Sequence, residues 1–150
     1  MSYSISEIAK KLGLTASTLR YYDKEGLLPF VDRSPNGIRL FTDLDLASLK
    51  MVECLKATGM PIKDIKQFTD WCATGDGTLQ KRRDMFYERK KVVEAQIEAL
   101  KKTLDTINYK CWYYDTAIAA GTDDIHNCMK TEDIPEEIRK LKERMGSEES

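Results

Sequence analysis

The sequence contains no long run of apolar residues. None approaches the ~18 consecutive apolar residues that a membrane-spanning helix needs, and the first residues, MSYSISEIAKK, lack the apolar core of a signal peptide. We therefore expect a cytoplasmic protein without a membrane partner. At 150 residues, 41% hydrophobic and 33% charged, the chain has the composition of a globular protein with a strongly charged surface.

Paired cysteines are also missing. Cys54, Cys72, Cys111 and Cys128 are far apart and form no CxxC motif, so we expect free thiols and no disulfide framework. Cys72, His126 and Cys128 are the one soft-metal set that the chain offers, and the last two are spaced too closely for a closed site. We expect no metal and no cofactor.

The chain as a whole lacks an excess of positive charge. Its net charge is −1, which gives no electrostatic argument for nucleic-acid binding. The distribution is uneven, however, because residues 121–150 hold nine acidic and five basic side chains. Residues 1–120 are therefore slightly basic.

Two short helices near the N-terminus form the first motif. Ser4 and Glu7 have the S-x-x-E spacing of a capping box, and Gly13 offers a left-handed helix end. Thr15 caps a second helix that ends at Gly26, with Leu19 and Tyr22 directed inward. This order predicts a helix-turn-helix.

A basic hairpin follows directly. Residues 30–33 and 38–41 have the composition of strands, and Asn36-Gly37 between them is typical of a tight turn that requires positive φ. A helix-turn-helix followed by such a hairpin predicts a winged-helix domain.

Two more helices complete this part of the chain. Thr42 and Asp45 repeat the capping pattern for a third helix, and Pro61 opens a fourth. We expect one stripe of the third helix to face the core; it consists of Leu44, Ala47, Met51, Cys54 and Leu55. The stretch ATGDG at residues 73–77 then predicts a linker.

A long helix without proline or glycine is predicted from residue 78 to 120. Its heptad d positions are Leu79, Phe86, Val93, Leu100, Ile107 and Tyr114, and its a positions are Arg83, Lys90, Ile97, Leu104, Cys111 and Ile118. Ten of these twelve are apolar, counting Cys111 and Tyr114, which favours a coiled coil. One helix cannot cover such a stripe, so we expect a homodimer. The predicted interface consists of Leu79, Phe86, Val93, Ile97, Leu100, Leu104, Ile107, Cys111, Tyr114 and Ile118.

The sequence thus predicts a mainly α fold with three segments: a winged helix-turn-helix DNA-binding domain at 1–74 that includes the helix pair 43–72, a long coiled-coil dimerisation helix at 78–120, and a tail at 121–150. The tail holds a short helix that starts at 133–135, with Ile134, Ile138, Leu141 and Met145 on one stripe. It is a candidate effector region.

Three ordered motifs, ISEIAKKLGLTASTLRYYDKEGLL, NGIRLFTDLDLASL and LKATGMPIKDIKQF, resemble those of the MerR family of bacterial transcriptional regulators. The resemblance covers residues 1–72 in motifs and 78–120 in architecture, with an antiparallel coiled-coil dimer. Phe41 stands where the family usually has tyrosine, which removes one hydroxyl from the set that meets phosphate.

The resemblance implies which residues bind DNA. It places the second helix in the major groove, where arginine reads guanine and hydroxyls meet phosphates and base edges. The wing and the start of the fourth helix would hold flanking phosphates. The implied DNA-binding residues are Thr15, Ser17, Thr18, Arg20, Tyr21, Arg33, Asn36, Gly37, Arg39 and Lys63.

The resemblance also implies a mechanism. A homodimer binds double-stranded promoter DNA whose −35 to −10 spacer is too long for bacterial RNA polymerase, and the induced dimer kinks and untwists the spacer to activate transcription. The motif ECLKATGM is similar to the branch that responds to aldehydes and thiol-reactive electrophiles, which makes Cys54 the sensor candidate.

Two interpretations of Cys54 remain open, because an apolar stripe is also where a buried, inert thiol belongs. The aromatic run Tyr109–Tyr114 offers either interface core or a small-molecule pocket as an alternative effector site. One rival function is a thiol-dependent enzyme, but the sequence has no CxxC motif, no nearby His–Asp pair and no glycine-rich phosphate loop to support it. The other is a coiled-coil adaptor whose N-terminal domain binds protein.

Overall fold

The computed structural model describes residues 2–29 and 31–146, and it is mainly helical. It forms two compact units, Met1–Val93 and Glu94–Ser150. The strands are β1 (Ser2–Tyr3), β2 (Asp32–Arg33) and β3 (Arg39–Thr42), and the helices are α1 (Ile5–Leu12), α2 (Ala16–Lys24), α3 (Asp43–Ala57), α4 (Ile62–Thr74), α5 (Leu79–Ala120), α6 (Ile125–Cys128) and α7 (Glu136–Gly146). No helix in these ranges is long and apolar enough to cross a membrane.

The helix-turn-helix forms through local signals. Ser4 and Glu7 make the expected capping box at the start of α1, and Gly13 ends that helix with φ 66°. The Thr15 side chain caps α2. Leu19 and Tyr22 of α2 are buried in the core of the first unit, so the inward positions of this helix are confirmed.

The wing is a three-stranded sheet in the order β1-β3-β2. Strands β2 and β3 pair antiparallel, with Arg33 opposite Arg39, and Gly37 adopts φ 75° in the turn between them. Strand β1, which was not predicted from the sequence, pairs with the other edge of β3. Of the residues predicted as the first wing strand, Phe30 lies outside the described residues.

The core-facing stripe of α3 differs from the predicted one. The buried residues are Asp45, Leu49, Val52 and Leu55, whereas Leu44 is 75% exposed and Met51 and Cys54 are exposed as well. The prediction was wrong because α3 carries apolar residues on two faces, and spacing alone does not say which face meets the core. The Thr42–Asp45 capping box formed as expected.

Helix α5 runs unbroken for 42 residues, which is ~60 Å at about 1.5 Å per residue. Apart from the half-buried Val93, its predicted interface residues are exposed in the single chain, from 36% at Phe86 to 78% at Ile118. Such a row of exposed apolar side chains is what a coiled-coil helix shows before its partner is added.

In the second unit, α7 packs on α5. Ile138 and Leu141 of α7 are buried, and so is Ala117 of α5. Arg144 donates two hydrogen bonds to Asp105, from Nε to Oδ2 at 2.8 Å and from Nη2 to Oδ1 at 2.9 Å, and this pairing holds the pKa of Asp105 below its usual range. The tail after residue 121 therefore folds back on the long helix.

Candidate nucleic-acid interface

The outer face of α2 presents polar side chains to solvent. Ser17, Arg20 and Tyr21 are exposed, and Tyr21 is 47% accessible although its neighbour Tyr22 is buried. This face combines a guanidinium fork, a hydroxyl and an aromatic edge on one rigid helix, the combination that reads base edges in a major groove.

Thr15 and Thr18 shape the start of this helix. The Thr15 Oγ1 accepts a hydrogen bond from the Thr18 amide at 3.1 Å, and the two hydroxyl oxygens lie 2.9 Å apart. Each hydroxyl keeps further hydrogen-bonding capacity at an exposed N-terminus, where the helix dipole favours an anion.

The wing arginines converge on one carboxylate of α2. Arg39 donates from Nε to Asp23 Oδ2 at 2.8 Å and from Nη2 to the same oxygen. Arg33 donates from Nη2 to that oxygen at 2.7 Å. Asp23, which was not predicted from the sequence, ties the wing to α2. Asn36 and Gly37 are exposed at the tip of the wing.

Lys63 lies at the second residue of α4 and is exposed. The residue before this helix, Pro61, makes no side-chain hydrogen bond to the helix start. The first amides of α4 and the lysine therefore offer positive charge at one point, as phosphate binding requires.

A partly buried polar contact, which was not predicted from the sequence, joins α2 to α3. The Tyr22 hydroxyl donates to Glu53 Oε1 and accepts a hydrogen bond from Lys56 Nζ at 2.8 Å. Burial, and then the bond to Glu53, raises the pKa of Tyr22. The bond to Tyr22 likewise raises the pKa of Lys56. We call Tyr22, Glu53 and Lys56 the polar triad.

Cys54 follows Glu53 directly on α3, and its side chain is exposed. The interpretation of Cys54 as buried core is therefore wrong for the single chain, since the core takes the other face of α3. Cys72, Cys111 and Cys128 are also free and exposed.

The aromatic run near the end of α5 packs on itself and on α6. The rings of Tyr113 and His126 stack with centroids 3.8 Å apart, and His126 Nε2 lies 2.9 Å from the Tyr113 carbonyl oxygen. Trp112 meets the same His126 ring edge-on. These contacts indicate that the Tyr109–Tyr114 side chains serve packing rather than line a small-molecule pocket. Within residues 2–29 and 31–146, no three His, Cys, Asp or Glu side chains are placed to hold a metal ion.

Comparison with known proteins places this geometry in a family. Two family models match: the MerR HTH family regulatory protein at residues 3–70 and the MerR DNA-binding model at residues 46–109. An uncharacterised HTH-type transcriptional regulator of Haemophilus influenzae is 47% identical over 122 residues, which cover 81% of this chain and 90% of that protein. The Bacillus subtilis regulator AdhR is 35% identical over 92 residues, 61% of this chain and 66% of its own.

A solved structure agrees. HiNmlR, described as a MerR family regulator lacking the sensor domain and bound to promoter DNA, is 46% identical with a TM-score of 0.76. The match covers 83% of this chain and 99% of HiNmlR. These relatives are transcriptional regulators, not enzymes. The chain belongs to the MerR family and is a DNA-binding transcriptional regulator with a winged helix-turn-helix and a long helix, α5.

Proposed function

We propose that this regulator binds promoter DNA as a homodimer, with α2 in the major groove and the wing on the flanking phosphates. The observation that carries the proposal is the convergence of Arg33 and Arg39 on Asp23, because it fixes the wing to the helix whose outer face bears Arg20. A wing so braced presents its tip beside that helix as one rigid surface. HiNmlR, bound to promoter DNA, supports the same mode.

The dimer forms through the a and d residues of α5, and the charged residues at two a positions favour antiparallel helices. In a parallel pair, each a residue faces its own copy, so Arg83 would face Arg83 and Lys90 would face Lys90 in a desolvated seam. Burying like charges against each other is costly. In an antiparallel pair the a residues face d residues, which are all apolar or aromatic here.

Activation follows from deformation of the promoter. Two heads that grip phosphates through Arg33, Asn36, Arg39 and Lys63 can pull on both ends of an over-long spacer, and kinking and untwisting it brings the −35 and −10 elements into the alignment that bacterial RNA polymerase needs. The bending energy, of order 1–6 kcal/mol for such a site, is offset by the phosphate contacts that the bend permits.

The signal enters at Cys54. Its thiol is accessible to a reagent, which a thiol sensor requires because the thiolate attacks an aldehyde or alkylating agent. Glu53 and Lys56 of the polar triad flank it and hold Tyr22 of α2. An adduct at Cys54 therefore arises next to the contact that positions the reading helix.

The test is promoter activity in cells treated with formaldehyde or methylglyoxal. Cys54→Ser is expected to leave operator binding nearly intact and to abolish induction, with the modified thiol identified by mass spectrometry in the wild type. Serine at the exposed Cys72 or Cys128 is the matched control and should leave induction unchanged. Full induction in Cys54→Ser would remove the sensor role and leave the Tyr109–Tyr114 region as the effector site to test.

A further inference from the structure

The exposed heptad residues of α5 define how far two copies are shifted along each other. We propose an antiparallel register in which Ile97 faces the partner's Leu100, Leu104 faces the partner's Val93, Cys111 faces the partner's Phe86 and Ile118 faces the partner's Leu79. This proposal rests on the homodimer proposed above and adds the residue pairing. We call the a and d residues from Leu79 to Ile118 the seam.

Completeness is the first argument for this register. It gives every one of the twelve seam residues a partner inside the helix, because the first d residue, Leu79, meets the last a residue, Ile118. A shift by one heptad in one direction leaves Leu79 and Arg83 opposite residues beyond Ala120, where α5 has ended. A shift in the other direction leaves Ile118 without a seam partner although its side chain is 78% exposed.

The charged seam positions also find suitable partners. Arg83 faces the partner's Tyr114, and a guanidinium over an aromatic ring is attractive. Lys90 faces the partner's Ile107, along which its methylene stem can lie while the ammonium reaches water. Neither position meets a like charge.

Flanking charges supply a further argument. In antiparallel coiled coils the e positions of the two helices flank the seam, and here Glu94 lies beside the partner's Lys101, twice by symmetry. Shifting by one heptad would instead bring Lys101 beside the partner's Lys101 or Glu94 beside the partner's Glu94. Opposite charges at these positions set register and orientation.

One flanking pair opposes the register. At the g positions Arg89 lies on the side of the partner's Lys110. In the single chain, however, Lys110 Nζ is directed at aromatic rings, 5.0 Å from the centroid of Tyr113 and 5.9 Å from that of Tyr109. These cation–π contacts hold the ammonium on the outer face of α5, which lowers the repulsion. Lys101 is also held in the single chain, by Glu98 at 2.8 Å, so its attraction to the partner's Glu94 is shared with that ion pair.

The C-terminal helix leaves the seam open. Helix α7 contacts α5 at Asp105, which pairs with Arg144, and at Tyr109, whose ring centroid lies 5.4 Å from Lys142 Nζ. Asp105 and Tyr109 lie outside the a and d positions, whereas the seam residue Leu104 shares a cavity with Arg144 and Met145 of α7. Leu100, Leu104 and Ile107 remain more than half exposed beside α7, so a second copy can dock while α7 stays in place.

Native Cys111 reports the register directly. In a chain with serine at Cys54, Cys72 and Cys128, Phe86→Cys should form an intermolecular disulfide with Cys111 under mild oxidation, seen as a dimer in denaturing gels and mapped by mass spectrometry. Val93→Cys is the matched variant, since it meets Cys111 only after a shift by one heptad. Preferential cross-linking of Val93→Cys, or a dimer in which neither variant cross-links to Cys111, overturns the register.

A charge exchange tests the flanking pair without new thiols. Glu94→Lys and Lys101→Glu should each raise the dimer dissociation constant about two- to tenfold, as expected for exposed pairs present twice, and the double exchange should restore it. The control exchanges Glu88 and Lys91, an ion pair within one helix, and should change little. No restoration in the double variant contradicts the pairing. A wild type that sediments as a monomer would instead refute the homodimer itself.

Discussion

Asp23 on α2 accepts hydrogen bonds from Arg39 on β3, with Arg39 Nε 2.8 Å from Asp23 Oδ2. Both side chains are mostly shielded, at 19% and 23% side-chain exposure. The contact joins α2, which we propose lies in the major groove, to the strand that carries the wing. The orientation of the wing is therefore set by the protein before any DNA arrives, which lowers the entropy cost of binding.

Arg39 is expected to serve the phosphate backbone as well as Asp23. Arg39→Ala should weaken binding to operator and random DNA alike and lower the salt slope of binding by about one, because one fewer counterion is released. Titration of DNA binding against salt concentration measures this. Arg139→Ala, which removes an exposed arginine of α7, is the control. An unchanged slope would show that Arg39 only braces the wing.

Arg20 should distinguish operator from random DNA. Arg20→Ala removes a base-reading donor worth ~1–3 kcal/mol, so it should weaken operator binding more than non-specific binding. Arg20→Lys keeps the charge and loses the fork, so its non-specific affinity should stay near that of the wild type. Competition binding with operator and random DNA measures both affinities. Equal losses of affinity for the two DNAs would show that Arg20 contacts only the phosphate backbone.

Tyr22 should make the stability of the head, residues 1–74, depend on alkaline pH. A raised pKa means that the folded protein disfavours the tyrosinate, so this stabilisation is complete below the usual pKa of about 10 and is lost as pH rises through the raised value. Lys56, whose pKa is also raised, acts in the same direction.

Tyr22→Phe should therefore cost about 0.5–1.5 kcal/mol at neutral pH, the net worth of a hydrogen bond, and should flatten the loss of stability above pH 10. Urea unfolding at several pH values measures both effects. The exposed Tyr87 provides the control as Tyr87→Phe. An equally steep alkaline loss in Tyr22→Phe would show that other groups cause it.

The sequence predicted those parts of the fold that local signals determine. Ser4 with Glu7 and Thr42 with Asp45 formed their capping boxes, and the Asn36-Gly37 turn joined two strands, because each depends on side chains within a few residues. The long helix followed from the absence of proline and glycine over residues 78–120.

Tertiary contacts were beyond prediction. Strand β1 is only two residues long and exists because β3 has a free edge, which no local pattern reveals. Asp23 and the polar triad depend on distant residues meeting in space, for instance Tyr22 and Lys56. Cys54 is exposed because the other of the two apolar stripes on α3 packs against the core. The choice between the two stripes depends on tertiary packing and cannot be read from the local sequence.

The measurement that tests the central account most directly is sedimentation of Leu100→Asp together with its affinity for a promoter fragment that the wild type binds. Leu100 is 68% exposed in the single chain and lies in the middle of the seam, so the substitution places two unpaired charges in one interface, each costing several kcal/mol. The account predicts a folded monomer whose operator affinity has collapsed, while Ala99→Asp, one residue away on the outer face, stays dimeric and binds DNA. A Leu100→Asp protein that remains dimeric, or a monomer that binds the operator as tightly as the wild type, would contradict it.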